Sequence, residues 1–130
     1  MKPWRLSGRV LIMTAVLLAG CAKGNPQYKA GAKSESLNDY DTALENYNKA
    51  LRSDPNNTEY KLRAARARFE ASQWHVDQGR RLREQSNLEL ALAEFRKALM
   101  IDPSSAVAAQ EVQATIDLIA VKQNTTQNSS

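Results

Sequence analysis

Three groups of residues in this chain have types and spacings that could do chemistry. Cys21 is the single thiol in 130 residues and sits directly behind an apolar run. His75 is the single imidazole. Two basic clusters, Lys61/Arg63/Arg66/Arg68 and Arg80/Arg81/Arg83, could hold an anion. One Cys excludes an internal disulfide framework and a Cys-based zinc site. One His leaves no His-rich metal site, so no metal is expected. No Gly-rich phosphate loop follows a strand, and no Ser/His/Asp set can be built around one His. The acids are spread over helical surfaces instead of paired in a site. No catalytic residue, cofactor or enzymatic activity is therefore expected. His75 reads as a helix-surface or groove residue.

The basic clusters are interleaved with acids. Glu59/Arg63, Arg66/Glu70, Asp77/Arg81 and Arg80/Glu84 all stand four residues apart. Such pairs support an exposed helix by about 0.2–0.5 kcal/mol each. They make the first cluster a solvated face more readily than a nucleic-acid patch.

The address of the chain comes from its first twenty-one residues. Lys2, Arg5 and Arg9 form a basic start, and Val10–Leu18 is apolar except for Thr14. That run is shorter than the roughly 20 apolar residues a bilayer span needs, and it reads as a signal peptide. Leu18-Ala19-Gly20-Cys21 then resembles the lipobox of bacterial lipoproteins: aliphatic, small, small, Cys. The resemblance implies cleavage before Cys21 and a diacylglycerol on its sulfur, with the chain held on a membrane through that lipid. Ala22 stands where an Asp commonly retains lipoproteins in the inner membrane, which favours the periplasmic face of the outer membrane. The formal net charge is +4 for the whole chain, and three bases but no acid lie in the signal, so the mature charge is +1. Nucleic-acid binding is not expected.

Behind the signal (1–20), residues 21–27 read as a lipid-anchored tether. Residues 28–122 read as a helical domain, and the polar residues 123–130 as a disordered tail or linker. Helical periodicity predicts five segments: about Tyr28–Leu37, Tyr40–Ser53, Thr58–Gln85, Leu88–Ile101 and Ser105–Lys122. Asn38-Asp39, Asp54-Pro55 and Asp102-Pro103 punctuate them, and Thr58 is a candidate N-cap. The third segment is one long helix or two with a kink near Ser72. Tyr60, Ala64, Ala67, Ala71 and Trp74 would form its apolar stripe, the first half packing on the second segment and the rest on the fourth.

Residues 31–55 repeat in 79–103. Gly31, Ala43, Tyr47, Ala50 and Pro55 recur as Gly79, Ala91, Phe95, Ala98 and Pro103 with the same gaps. The set resembles the tetratricopeptide repeat (TPR) signature. Each glycine would let two helices approach, each alanine would keep a crossing thin, and each ring would fill the space between. The first helix of each unit departs from the family: Gln27 and His75 stand for its Trp, and Ala30 and Gln78 for its Leu. The copies lie 48 residues apart, against about 34 for a regular TPR array. The surplus, about four helical turns, falls in Thr58–Ala71.

The resemblance implies an all-α fold: two degenerate TPR-like hairpins joined by a long middle helix, capped by the fifth helix through Val107, Val112, Ile116 and Ile119. It also implies that the first helix of each unit lines a partner-binding groove. By position that groove would use Tyr28, Ala32 and Glu35 in one copy and Val76, Arg80 and Arg83 in the other. The partner would be another envelope protein or a peptide segment, with the oligomeric state left open. Separately, His75–Glu111 resembles the TPR segment that precedes the ring-forming domains of lipoprotein secretins, the outer-membrane pores of type II secretion and type IV pili. An adaptor or assembly scaffold in the bacterial envelope, or a portion or relative of such a secretin, are the two functional expectations.

Overall fold

The computed structural model describes residues 24–129 of the chain, so the signal and Cys21 lie outside the described residues. Among these residues five helices follow one another: α1 (Pro26–Ser36), α2 (Tyr40–Ser53), α3 (Thr58–Glu84), α4 (Leu88–Ile101) and α5 (Ala106–Asn128). Among the described residues there is no strand.

Local chemistry sets the boundaries. The Asn25 side chain accepts from the backbone of Gln27 at 2.8 Å and Tyr28 at 3.2 Å, and Pro26 takes the first helical position, where no N–H is needed. Helix α1 thus begins two residues inside the expected tether. Asp39 caps α2 through Thr42 N, and Ser105 caps α5 through Ala108 N. Asn57, not Thr58, caps α3: its Oδ1 accepts from Tyr60 N at 3.1 Å, and Thr58 is already helical. Asn38 (φ 58°) and Ser86 (φ 63°) take the left-handed conformation just past α1 and α3. They stand at equivalent places in the two copies. In each, the following amide turns back to the helix: Asp39 N to Ser34 O at 3.0 Å and Asn87 N to Leu82 O at 2.9 Å.

Helix α3 is continuous through Ser72. The Ser72 hydroxyl does not disturb its own helix; it donates to the Ala98 carbonyl of α4 at 3.0 Å. Its first half packs Ala64 and Ala67 against Ala43 and Tyr47 of α2, with Tyr28, Leu44 and Leu51 around them. Its second half packs Val76 with Ala91, Phe95 and Ala98 of α4 and Ala108 of α5. The packing stripe therefore leaves the expected register after Ala71. Trp74 is 41% exposed, while His75 and Val76 are buried. Helix α4 meets α3 on a side rotated from the one α2 uses, and at 3.6 residues per turn that moves the buried position one or two residues on.

The repeat residues do what their types suggest. Ala43, Ala50, Ala91 and Ala98 are fully buried, as are the rings of Tyr47 and Phe95. A Cβ on Gly31 would stand 2.8 Å from the Tyr47 ring, and one on Gly79 would stand 2.5 Å from the Phe95 ring. Each glycine is the socket for the aromatic of its own hairpin. Pro55 and Pro103 lie in the turns after α2 and α4.

Helix α5 differs from expectation in two ways. It buries Ala108 and Thr115, with Val112 packed against the core, while Val107 and Ile116 are 39% and 36% exposed. The helix also runs through Asn128, past the expected end at Lys122, so residues 123–128 are helical rather than a disordered tail. There the Thr125 and Thr126 hydroxyls donate to carbonyls four residues back, Val121 and Lys122, both at 2.9 Å.

Candidate functional site

The six residues expected to line a groove meet different fates. Val76 is fully buried in the second core cluster. It is a packing residue, because α4 and α5 close over its side of α3. Ala32 is exposed on α1. Tyr28 is half-buried and stacks on Tyr60 of α3, with ring centres 5.2 Å apart. Its hydroxyl donates to Glu59, and that bond to a carboxylate pushes the phenol above its ordinary range.

Glu35, Arg80 and Arg83 are engaged by other helices of the same chain. Glu35 accepts from the Tyr47 hydroxyl at 2.6 Å and from Arg63 at 3.2 Å, and Arg66 stands 3.8 Å away. Burial, with the Glu35 carboxylate beside it, pushes the Tyr47 phenol well up. Arg80 and Arg83 both donate to Glu111 of α5, at 2.7 and 2.5 Å, and the Arg83 guanidinium lies over the Phe95 ring. Burial pulls the Glu111 carboxyl upward, but the two arginines outweigh it and hold the group below the usual carboxylate range. Arg63 thus ties α3 to α1, and Arg80 and Arg83 tie it to α5. Of the pairs expected four residues apart, Arg66–Glu70 forms loosely at 3.9 Å. Arg63 turns to Glu35, and Arg80 to Glu111 and Asp77.

His75 is not a surface residue. Its ring is 2% exposed, with Nδ1 2.5 Å from Glu94 of α4 and Nε2 3.1 Å from Asp41 of α2. Each ring nitrogen thus faces a carboxylate of a different helix. Lys97 donates to the same Asp41 at 2.7 Å. Burial raises the Asp41 carboxyl, and the Lys97 and His75 hydrogen bonds outweigh it and hold the group low. This cluster ties the start of α2 to α4 across α3, where the two hairpins abut. Nothing local in the sequence marks it, since Asp41 and His75 are 34 residues apart. Beside it Leu37, Asn38, Asp39, Tyr40, Asp41 and Trp74 line a cleft of about 200 Å³.

Among the described residues no group of three or more His, Cys, Asp or Glu could hold a metal ion. No helix there is long and apolar enough to cross a membrane. The arrangement offers helical surfaces and interhelical ion pairs, which suit recognition of another chain.

Compared with known proteins, the chain matches the family model of the tetratricopeptide repeat over residues 31–57. The match begins at the socket glycine of the first hairpin and ends at the cap of α3. No curated protein matches the chain. The match and the helical hairpins support a TPR-type, all-α protein, and with it a protein–protein interaction module.

Proposed function

We propose that this chain is a lipid-anchored TPR adaptor or assembly scaffold of the bacterial envelope, holding a partner protein at the periplasmic face of a membrane. The observation that carries the binding role is the tetratricopeptide match over the hairpin in which Gly31 receives the Tyr47 ring. Such packing makes a rigid scaffold from small residues and leaves the outer sides of the helices for a partner. The anchor rests on Leu18-Ala19-Gly20-Cys21 behind the basic and apolar start.

Metabolic labelling with a fatty acid tests the anchor. The label should enter the chain and be lost in Cys21→Ser, with the signal left uncleaved. Label retained in Cys21→Ser removes the anchor from the proposal. In-cell crosslinking tests the binding role. A discrete partner should be trapped through the outer sides of α1 and α3, and its absence counts against the module.

A second reading has its own observation, the resemblance of His75–Glu111 to the TPR segment of lipoprotein secretins. It predicts co-purification with a ring-forming outer-membrane pore, which an unrelated adaptor would not show.

A further inference from the structure

Helix α3 is 27 residues long, whereas α2 and α4 have 14 each. On one side of α3, Leu62, Phe69, Val76 and Arg83 recur every seven residues. The second half of that row is packed. Val76 is fully buried, and Arg83 lies over Phe95 and against Glu111. The first half is bare: Leu62 is 67% and Phe69 56% exposed, and Ala65 between them is exposed as well. Single exposed apolar side chains are ordinary. Two large ones in line with a packed seam leave a strip fit for another helix.

The edges of the strip say what kind of helix. At 3.6 residues per turn, Lys61 and Arg68 fall on one edge and Arg66 on the other. Lys61 and Arg68 are exposed and take part in no ion pair among the described residues. Arg66 is 61% exposed and only loosely held, 3.8 Å from Glu35 and 3.9 Å from Glu70. Cations therefore border the apolar strip on both sides, with its nearest acids beyond Arg66.

We infer that Leu62, Ala65 and Phe69 form a docking strip for an amphipathic helix of a partner protein, one with an apolar stripe and acidic edges. This rests on the chain's reading as an interaction module and names its partner's chemistry. Apolar contact would hold such a helix, and the cations would steer and orient it. A second copy fits poorly. The exposed apolar residues late in α5, Leu118 and Val121, have Asp117 and Lys122 beside them, so that helix has no acidic edges.

The test uses the full chain in detergent and two synthetic helical peptides with the same leucine stripe, one edged with Glu and one with Lys. Fluorescence anisotropy should show binding of the Glu-edged peptide only. That binding should weaken about tenfold from about 50 to about 500 mM salt, and by at least about tenfold for Leu62→Ser with Phe69→Ser. The variant should melt like the parent, since exposed positions usually change stability by less than about 0.5 kcal/mol. Lys61→Glu with Arg68→Glu should reverse the preference between the peptides. Equal binding of both peptides, or binding indifferent to the Ser variant, overturns the inference. So does self-association that the Ser variant abolishes, which would give the strip to a second copy. A photo-crosslinker at position 69 or position 32 in cells separates this inference from the wider reading. A partner trapped at 69 supports both, one trapped only at 32 leaves the module and removes the strip, and none at either position removes both.

Discussion

Arg83 donates to Glu111 at 2.5 Å across 28 residues of chain, and the same separation joins Glu35 to Arg63 at 3.2 Å with the charges exchanged. The two copies of the repeat thus keep the position of an interhelical ion pair and invert its sign. Each pair holds the first helix of a unit to the helix after next. The Glu111 side chain is 13% exposed and that of Arg83 27%, so solvent screens this contact only in part. In a double-mutant cycle of Arg83→Gln and Glu111→Gln, a coupling of roughly 1–2 kcal/mol is expected. Urea unfolding followed by circular dichroism measures it, and a coupling near zero would mean that the Arg83–Glu111 contact adds nothing to the hold on α5. The same geometry makes Arg80→Glu with Arg83→Glu a folding variant, because it places two acids against Glu111.

Acid should loosen the domain through Asp41 and Glu111. Both carboxyls are held low in the folded chain. A group depressed on folding contributes stability above its unfolded value, near 4, and loses that contribution as pH falls through the folded value. Melting temperature should therefore be level near neutrality and fall below about pH 4. Asp41→Asn with Glu111→Gln should melt lower at neutral pH and show a shallower acid decline. A decline as steep as the parent's would place the acid sensitivity elsewhere.

Gly79→Ala should destabilise, although alanine favours a helix by about 1 kcal/mol over glycine. The new methyl would meet the buried Phe95 ring at 2.5 Å. Overpacking of this kind costs typically 1–3 kcal/mol, so the expected net loss is roughly 1 kcal/mol or more. Phe95→Leu in the Gly79→Ala background should recover part of it. A thermal melt in which Gly79→Ala gains stability would contradict the socket.

Ser86→Gly should stabilise. Ser86 holds φ at 63°, where a side chain is strained by roughly 1–2 kcal/mol and glycine is not. The equivalent Asn38 already belongs to a type that tolerates the left-handed region, so Asn38→Gly should change little. Comparing the two melts is the measurement, and equal shifts would deny the difference.

The sequence by itself determined the elements and the repeat positions. The limits of α2 and α4 were legible because each starts after a polar break and ends at Asp-Pro, signals that act within a few residues. The repeat positions were legible because the spacing occurs twice, but that each glycine receives the ring of its own hairpin is seen only in the packed helices. What only the tertiary structure decided is which side of a helix is covered. Helix α3 packs on α2 along its first half and on α4 along its second over 27 residues, and periodicity cannot say where α2 stops and α4 begins. Val76 is therefore core, Trp74 lies at the surface, and Leu62 and Phe69 are bare. His75 is buried between acids on α2 and α4 for the same reason: a side chain's partners across tens of residues depend on how helices are placed, and no local pattern records that placement. The helical run to Asn128 falls between the two cases, since Thr125 and Thr126 bond back to their own helix, while their polar types read as tail.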